Sequence, residues 1–187
     1  SSNVGMVKIM IKLNASNYWQ WLRRLGIDEI PETDLPAADG GQIKPKQAYV
    51  SQSIEPAVTS FGQGFSITPL KLIQLHALLA NGGELVSPHI KKGSTKEFFH
   101  SKKRVFDEKK LFSPEVTKTI LSWMESVVEK GSGKGVRIDN YRIGGKTGTA
   151  DQTNDGINYD SKICSFVAIL PIEHPRFVVG VGVDTPK

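Results

Sequence analysis

The run Arg142-Ile143-Gly144-Gly145-Lys146-Thr147-Gly148-Thr149-Ala150 contains the residue types best suited to chemistry. It sets an ammonium and two hydroxyls among three glycines at what reads as a strand. Glycines leave the main chain bare, so a ligand reaching this segment meets backbone N–H donors, two O–H groups and a cation together. That donor set suits a carboxylate or an oxyanion. Gly145-Lys146-Thr147 also invites a phosphate-loop reading, which requires a glycine six positions before the lysine and a helix after it. Asn140 occupies that position, and the polar stretch Asp151-Gln152-Thr153-Asn154-Asp155-Gly156 follows, so the motif fails as a nucleotide site.

The remaining reactive side chains point elsewhere. His76, His89, His100 and His174 are too far apart for any metal-ligand spacing, and no cofactor is implied. Asp107, Glu108 and Asp139 read as solvated loop acids. Cys164 is the single cysteine and sits in an apolar run, Ile163 to Leu170, where packing is its expected role. Gln63, between Gly62 and Gly64, reads as part of a tight turn.

The elements that must position the Lys146 cluster follow from periodicity and punctuation. Met6 to Leu13 is a mostly apolar helix candidate. Ser16 is placed to cap a second helix, with Tyr18, Trp21, Leu22 and Leu25 on one face and Gly26 as its stop. Residues 27 to 57 carry Pro31, Pro36, Pro45, Pro56 and Gly40-Gly41, which reads as a long irregular surface excursion, of a length that usually has a functional reason or short structure of its own. Thr68-Pro69 opens a helix over Leu70 to Ala80 that is apolar nearly all round and therefore central. A short strand is expected at Glu84 to Val86.

Ser113-Pro114-Glu115 opens another helix, with Val116, Ile120, Trp123, Met124 and Val127 as its apolar stripe, and Gly131 to Gly135 reads as a flexible loop. Three strands are predicted at Tyr141 to Ala150, Ile163 to Leu170 and Phe177 to Val183. Connections this short make neighbouring strands antiparallel. The expected fold class is α+β, a helix-sheet-helix sandwich on an antiparallel sheet.

The 187 residues suffice for one domain with a full core. The net charge of +5 gathers between Lys91 and Lys110, where no aromatic interleaving accompanies the basic residues. A solvated loop is the reading, and no nucleic-acid partner is expected. No stretch of about 18 apolar residues is present.

Lys-Thr-Gly is one of three signatures of penicillin-binding proteins and β-lactamases, beside Ser-x-x-Lys and Ser-Asp-Asn. The chain carries Lys146-Thr147-Gly148 on a strand before two further strands, and Ser1-Ser2-Asn3, of the Ser-x-Asn form, before a helix. With Ser60 to Phe65, Thr68 to Leu72 and Gly145 to Ala150, it resembles the transpeptidase domain of class B penicillin-binding proteins over almost its whole length. Asn3 as the third motif residue makes it more similar to the cell-division type than to the elongation type.

The resemblance implies a β-lactamase/transpeptidase-like fold, with residues 1–187 as the C-terminal part of the domain. It also implies a serine-type peptidoglycan D,D-transpeptidase of septal wall synthesis that binds stem peptides and β-lactams. Its implied place is the periplasmic face of the inner membrane, anchored by an upstream helix, beside division-complex membrane proteins including a glycosyltransferase. By the same resemblance Ser1 relays a proton to the leaving amine and Asn3 holds the donor peptide. Lys146 supplies charge, Thr147 and Thr149 bind a carboxylate beside Gly148, and the Thr149 N–H forms half of an oxyanion hole.

No serine in the chain has lysine three positions later, so Ser-x-x-Lys is absent. The chain is therefore expected to be an internal piece without the nucleophile and the C-terminal helix, inactive alone and prone to association. Two other readings stay open: a non-catalytic β-lactam-sensing or interaction domain on the same fold, and a serine hydrolase of the β-lactamase kind. As a bland alternative, Ser1 and Asn3 form an ordinary helix N-cap pair.

Overall fold

Helix starts are written locally in this chain, and they set the frame of the computed structural model, which describes residues 2–92, 110–154 and 157–186. The helices are α1 (Asn3–Met10), α2 (Ala15–Arg24), α3 (Lys46–Ser51), α4 (Ile54–Thr59), α5 (Pro69–Ala80) and α6 (Pro114–Lys130). The strands β1 (Gly144–Asn154), β2 (Ile157–Leu170) and β3 (Phe177–Asp184) follow. The chain divides into two compact units. Ser2–Leu75 and Leu85–Leu111 form a helical unit, while His76–Glu84 and Phe112–Lys187 form a sheet unit.

In the sheet unit, Ser113 caps α6 by accepting from the Val116 N–H at 3.4 Å, with Pro114 in the first turn. The buried face of α6 is Thr117, Leu121, Met124 and Val128. This face differs from the predicted stripe: Val116 is exposed and Trp123 is 66% exposed. Thr117 explains the shift, because its hydroxyl donates to the Pro114 carbonyl at 2.9 Å and is satisfied before it is buried.

Leu121 and Met124 pack with Ile169 and Ile172, flanked by Leu79, Ala80, Ile120 and Val178. The sheet order is β1-β2-β3 with both pairings antiparallel, as expected. The register sets Thr147 opposite Phe166 and Val167 opposite Gly180. The strands are offset from their predicted bounds. β1 starts at Gly144, leaving Tyr141 outside it and exposed, and β1 and β2 run on into the polar segment expected to be a loop. Backbone pairing continues there past a register shift between Asp151 and Thr153. Hydrophobic alternation cannot signal such a stretch, as exposed Asp151 opposite exposed Lys162 illustrates.

The helical unit packs Leu22, Ile27 and Tyr49 with Tyr18, Trp19, Leu25, Ile43, Phe65, Ile67 and Leu75. Asn14, not Ser16, caps α2, its side chain accepting from the N–H groups of Ser16 at 2.9 Å and Asn17 at 3.1 Å. Gly26, at φ +68°, ends the turn that follows. The predicted surface excursion instead forms α3 and α4 and buries Tyr49, which is 1% exposed. Its ring is held at the tip as well, with the hydroxyl 2.5 Å from Thr59 Oγ1.

Thr68 Oγ1 accepts from the Lys71 N–H at 3.2 Å, starting α5 one residue before its predicted bound. From Leu70 to Ala80 every residue is buried or half-buried, in keeping with its expected central place. No strand forms at residues 84–86; the Val86 carbonyl instead accepts from Gln74 Nε2 at 2.6 Å.

Candidate active site

Of the predicted site residues, Lys146, Thr147, Gly148 and Thr149 lie consecutively on β1, an edge strand among the described residues. Successive side chains alternate between faces, so Lys146 and Gly148 project to one side and Thr147 and Thr149 to the other. A ligand using both sets therefore meets the strand along its edge. Asn3 opens α1 in the helical unit and is exposed, while Ser1 lies outside the described residues. The cap of α1 is Ser2, whose Oγ accepts from the Gly5 N–H at 3.1 Å, so Asn3 is not spent as a cap.

The glycines do something other than bare the main chain. A Cβ on Gly144 would sit 2.4 Å from Ile172 Cδ1, on Gly145 2.3 Å from Phe166 Cζ, and on Gly148 2.5 Å from Ser165 Oγ. All three spaces are filled by the chain's own side chains, which corrects the expectation of open backbone faces. The strand is packed against its neighbours and is reached at its free edge.

Thr147 is held at its carbonyl and at its hydroxyl. Lys146 Nζ donates to the Thr147 carbonyl at 2.6 Å, and the Thr147 hydroxyl lies 2.9 Å from Ser132 Oγ. N–H and C=O groups of residues two apart share one side of a strand, so the Thr149 N–H lies on the side of the carbonyl that Lys146 holds. Partial burial pushes the Lys146 ammonium below the ordinary lysine range.

Ser132 belongs to the segment predicted to be a flexible loop. The segment is ordered: the N–H groups of Gly131 and Gly133 both donate to the Val127 carbonyl at 3.0 Å, and a 3-10 turn at Lys134–Val136 follows. Sequence reasoning passed over Ser132 because its distance from Thr147, 15 residues along the chain, carries no periodic signal.

Arg142 adjoins the reactive cluster in sequence, yet its guanidinium is committed to α6. Its Nε donates to Glu125 Oε1 at 2.6 Å and a terminal nitrogen donates to Oε2 at 2.9 Å. That hydrogen bond holds the Glu125 carboxyl below the usual carboxylate range and raises the Arg142 guanidinium further. The pair pins the entry to β1. Cys164 is half-buried opposite Thr149. In the helical unit Gly62 and Gly64 adopt φ of +93° and +76°, and the Gln63 N–H donates to the Val58 carbonyl, so Gln63 belongs to a tight turn as predicted.

The family of the penicillin binding protein transpeptidase domain matches residues 1–187, the whole chain. The chain belongs to that family. A Mesostigma viride protein named peptidoglycan D,D-transpeptidase FtsI homolog is 38% identical over 205 residues, covering 100% of this chain and 34% of that protein. Stage V sporulation protein D of Bacillus subtilis is 33% identical over 192 residues, covering 100% of the chain and 29% of its own length. Among solved structures, penicillin binding protein 3 of Mycobacterium tuberculosis complexed with aztreonam superposes with a TM-score of 0.84 at 27% identity, over 99% of this chain and 43% of that one.

The chain thus spans about a third of the curated relatives it matches. Its α+β architecture, helices with a three-stranded antiparallel sheet, is that of the penicillin-binding transpeptidase domain. No helix among the described residues is long and apolar enough to cross a membrane.

Proposed function

We propose that this chain is the strand-bearing part of a serine-type peptidoglycan D,D-transpeptidase, of the division type and acting at the septum. The observation that carries the reading is the Lys146-Thr147-Gly148-Thr149 edge, with Thr147 fixed by Lys146 and Ser132, in a chain matching the family from end to end. Lys146 supplies positive charge, and the Thr147 and Thr149 hydroxyls beside Gly148 bind the terminal carboxylate of a stem peptide or a β-lactam. The Thr149 N–H stabilises the oxyanion, an interaction worth about 3 kcal/mol in the transition state.

The 187 residues hold no Ser-x-x-Lys, so we place the acyl-accepting serine elsewhere in the parent protein. In the proposed reaction that serine attacks the carbonyl of the penultimate D-alanine and its proton passes to the motif lysine. Ser1 relays a proton to the departing D-alanine amine, and Asn3 holds the donor peptide. An amine of a second stem then takes the acyl group, loses a proton, and frees the serine. The parent is proposed to work on the periplasmic face of the inner membrane, anchored by a helix outside these residues. Its proposed partners are division-complex membrane proteins including a glycosyltransferase.

Fluorescent penicillin applied to the full-length parent is the test. Denaturation-resistant labelling, lost on replacing the motif serine, together with cross-linking of stem peptides, is the expected result, and the 187 residues alone should not label. Labelling without cross-linking would replace this reading with a β-lactam sensor. No labelling of the parent would end it.

A further inference from the structure

We infer that Ser132 is a positioning residue for carboxylate recognition, acting through the Thr147 hydroxyl; the inference rests on the anion-binding role proposed for β1. The two oxygens are 2.9 Å apart, and Ser132 is exposed rather than needed for the core. Thr147 has one hydroxyl hydrogen. If Thr147 spends it on Ser132, only lone pairs face an incoming carboxylate, and the contact is repulsive. When Ser132 donates instead, a Thr147 lone pair is occupied and its hydrogen is released toward the anion. A hydroxyl that accepts one hydrogen bond while donating another is also polarised into a better donor.

The surroundings hold the two hydroxyls together. The Val127 carbonyl gathers the Gly131 and Gly133 N–H groups, which sets Ser132 between two anchored glycines. A Cβ on Gly133 would approach the Phe166 ring to 3.4 Å, and the same ring fills the space left by Gly145. One aromatic side chain thus lies against both the loop that carries Ser132 and the strand that carries Thr147. The Thr147 carbonyl is already taken by Lys146, leaving the hydroxyl as this residue's adjustable group. A substrate without a carboxylate gains nothing from the arrangement, so Ser132 acts as a specificity device as well as a support.

The test measures second-order acylation rate constants of the full-length parent with a penicillin and with the same penicillin methylated at its carboxyl group. Ser132→Ala should slow the free acid about five- to tenfold, the size of one lost hydrogen bond, and the ester by less than about twofold. Ser132→Thr should return the free acid to within about twofold of the parent. In a Thr147→Val background, Ser132→Ala should have no further effect. Equal slowing of acid and ester would make Ser132 merely structural and overturn the inference, as would an unchanged rate with the acid. A parent that neither compound acylates would instead defeat the proposed transpeptidase reading, and this inference with it.

Discussion

At the residue scale, Lys146 has to serve two opposed demands. Its ammonium must carry charge to meet a carboxylate, yet partial burial disfavours the charged form and lowers its pKa from 10.5. The thermodynamic sign follows. The unfolded chain binds more protons than the folded one between the lowered and ordinary values, so this group alone makes the fold gain stability as pH rises through that window. Recognition runs the other way, because the neutral amine gives up its charge-assisted contact. Carboxylate-dependent acylation of the full-length parent should therefore fall by about tenfold as pH climbs toward the ordinary lysine value. Lys146→Arg should flatten the decline, since a guanidinium stays charged. A parent profile that parallels that of the Arg variant would show that Lys146 does not titrate there.

At the element scale, β1 is held in place by what its glycines admit. Gly145 makes room for the Phe166 ring, and a methyl group there would sit 2.3 Å from Cζ. Gly145→Ala should lower stability by about 1–3 kcal/mol in denaturant titrations, the usual cost of overpacking, and Phe166→Leu added to it should recover part of the loss. Equal stability of Gly145→Ala and the parent would mean that the ring moves aside freely.

Such constraints bear on how much of the fold was legible in the sequence. Ser113-Pro114 and Thr68-Pro69 marked their helix starts because capping is a contact within four residues. Lys146-Thr147-Gly148 was legible because the signature is contiguous. The buried face of α6 was not, since Thr117 looks polar until its hydroxyl is satisfied by its own helix. Nor were α3 and α4, where Tyr49 makes core contacts that no local period announces. Ser132 escaped for a related reason: a side-chain pair across a helix end and a strand depends on the fold alone. Site residues were readable where they adjoin in sequence and hidden where tertiary packing brings them together.

At the scale of the whole molecule, β3 is an edge of the sheet among the described residues, and its own sequence does little to protect it. β3 exposes Phe177, Val179, Val181 and Val183, which alternate onto one face, and the strand contains no lysine or proline. Edge strands usually carry such residues because unpaired N–H and C=O groups are a template for another chain. The first charge on the strand is Asp184, at its last residue. A net charge of +5, gathered mostly between Lys91 and Lys110, offers β3 only weak long-range repulsion, and it is screened beyond about 8 Å at physiological salt. Local apolar contact therefore dominates at the edge. The 187-residue chain should show concentration-dependent association by sedimentation velocity, stronger at high salt because the repulsion is removed while the apolar contact is not. Val181→Lys sets a charge in the middle of the stripe without touching the core formed by Leu121, Met124, Ile169 and Ile172. It should leave the circular dichroism unchanged and move the population to monomer. If the unsubstituted 187-residue chain sediments as a single monomer across concentrations and salt, the exposed stripe is harmless, and twist and the paired edge with β2 are protection enough.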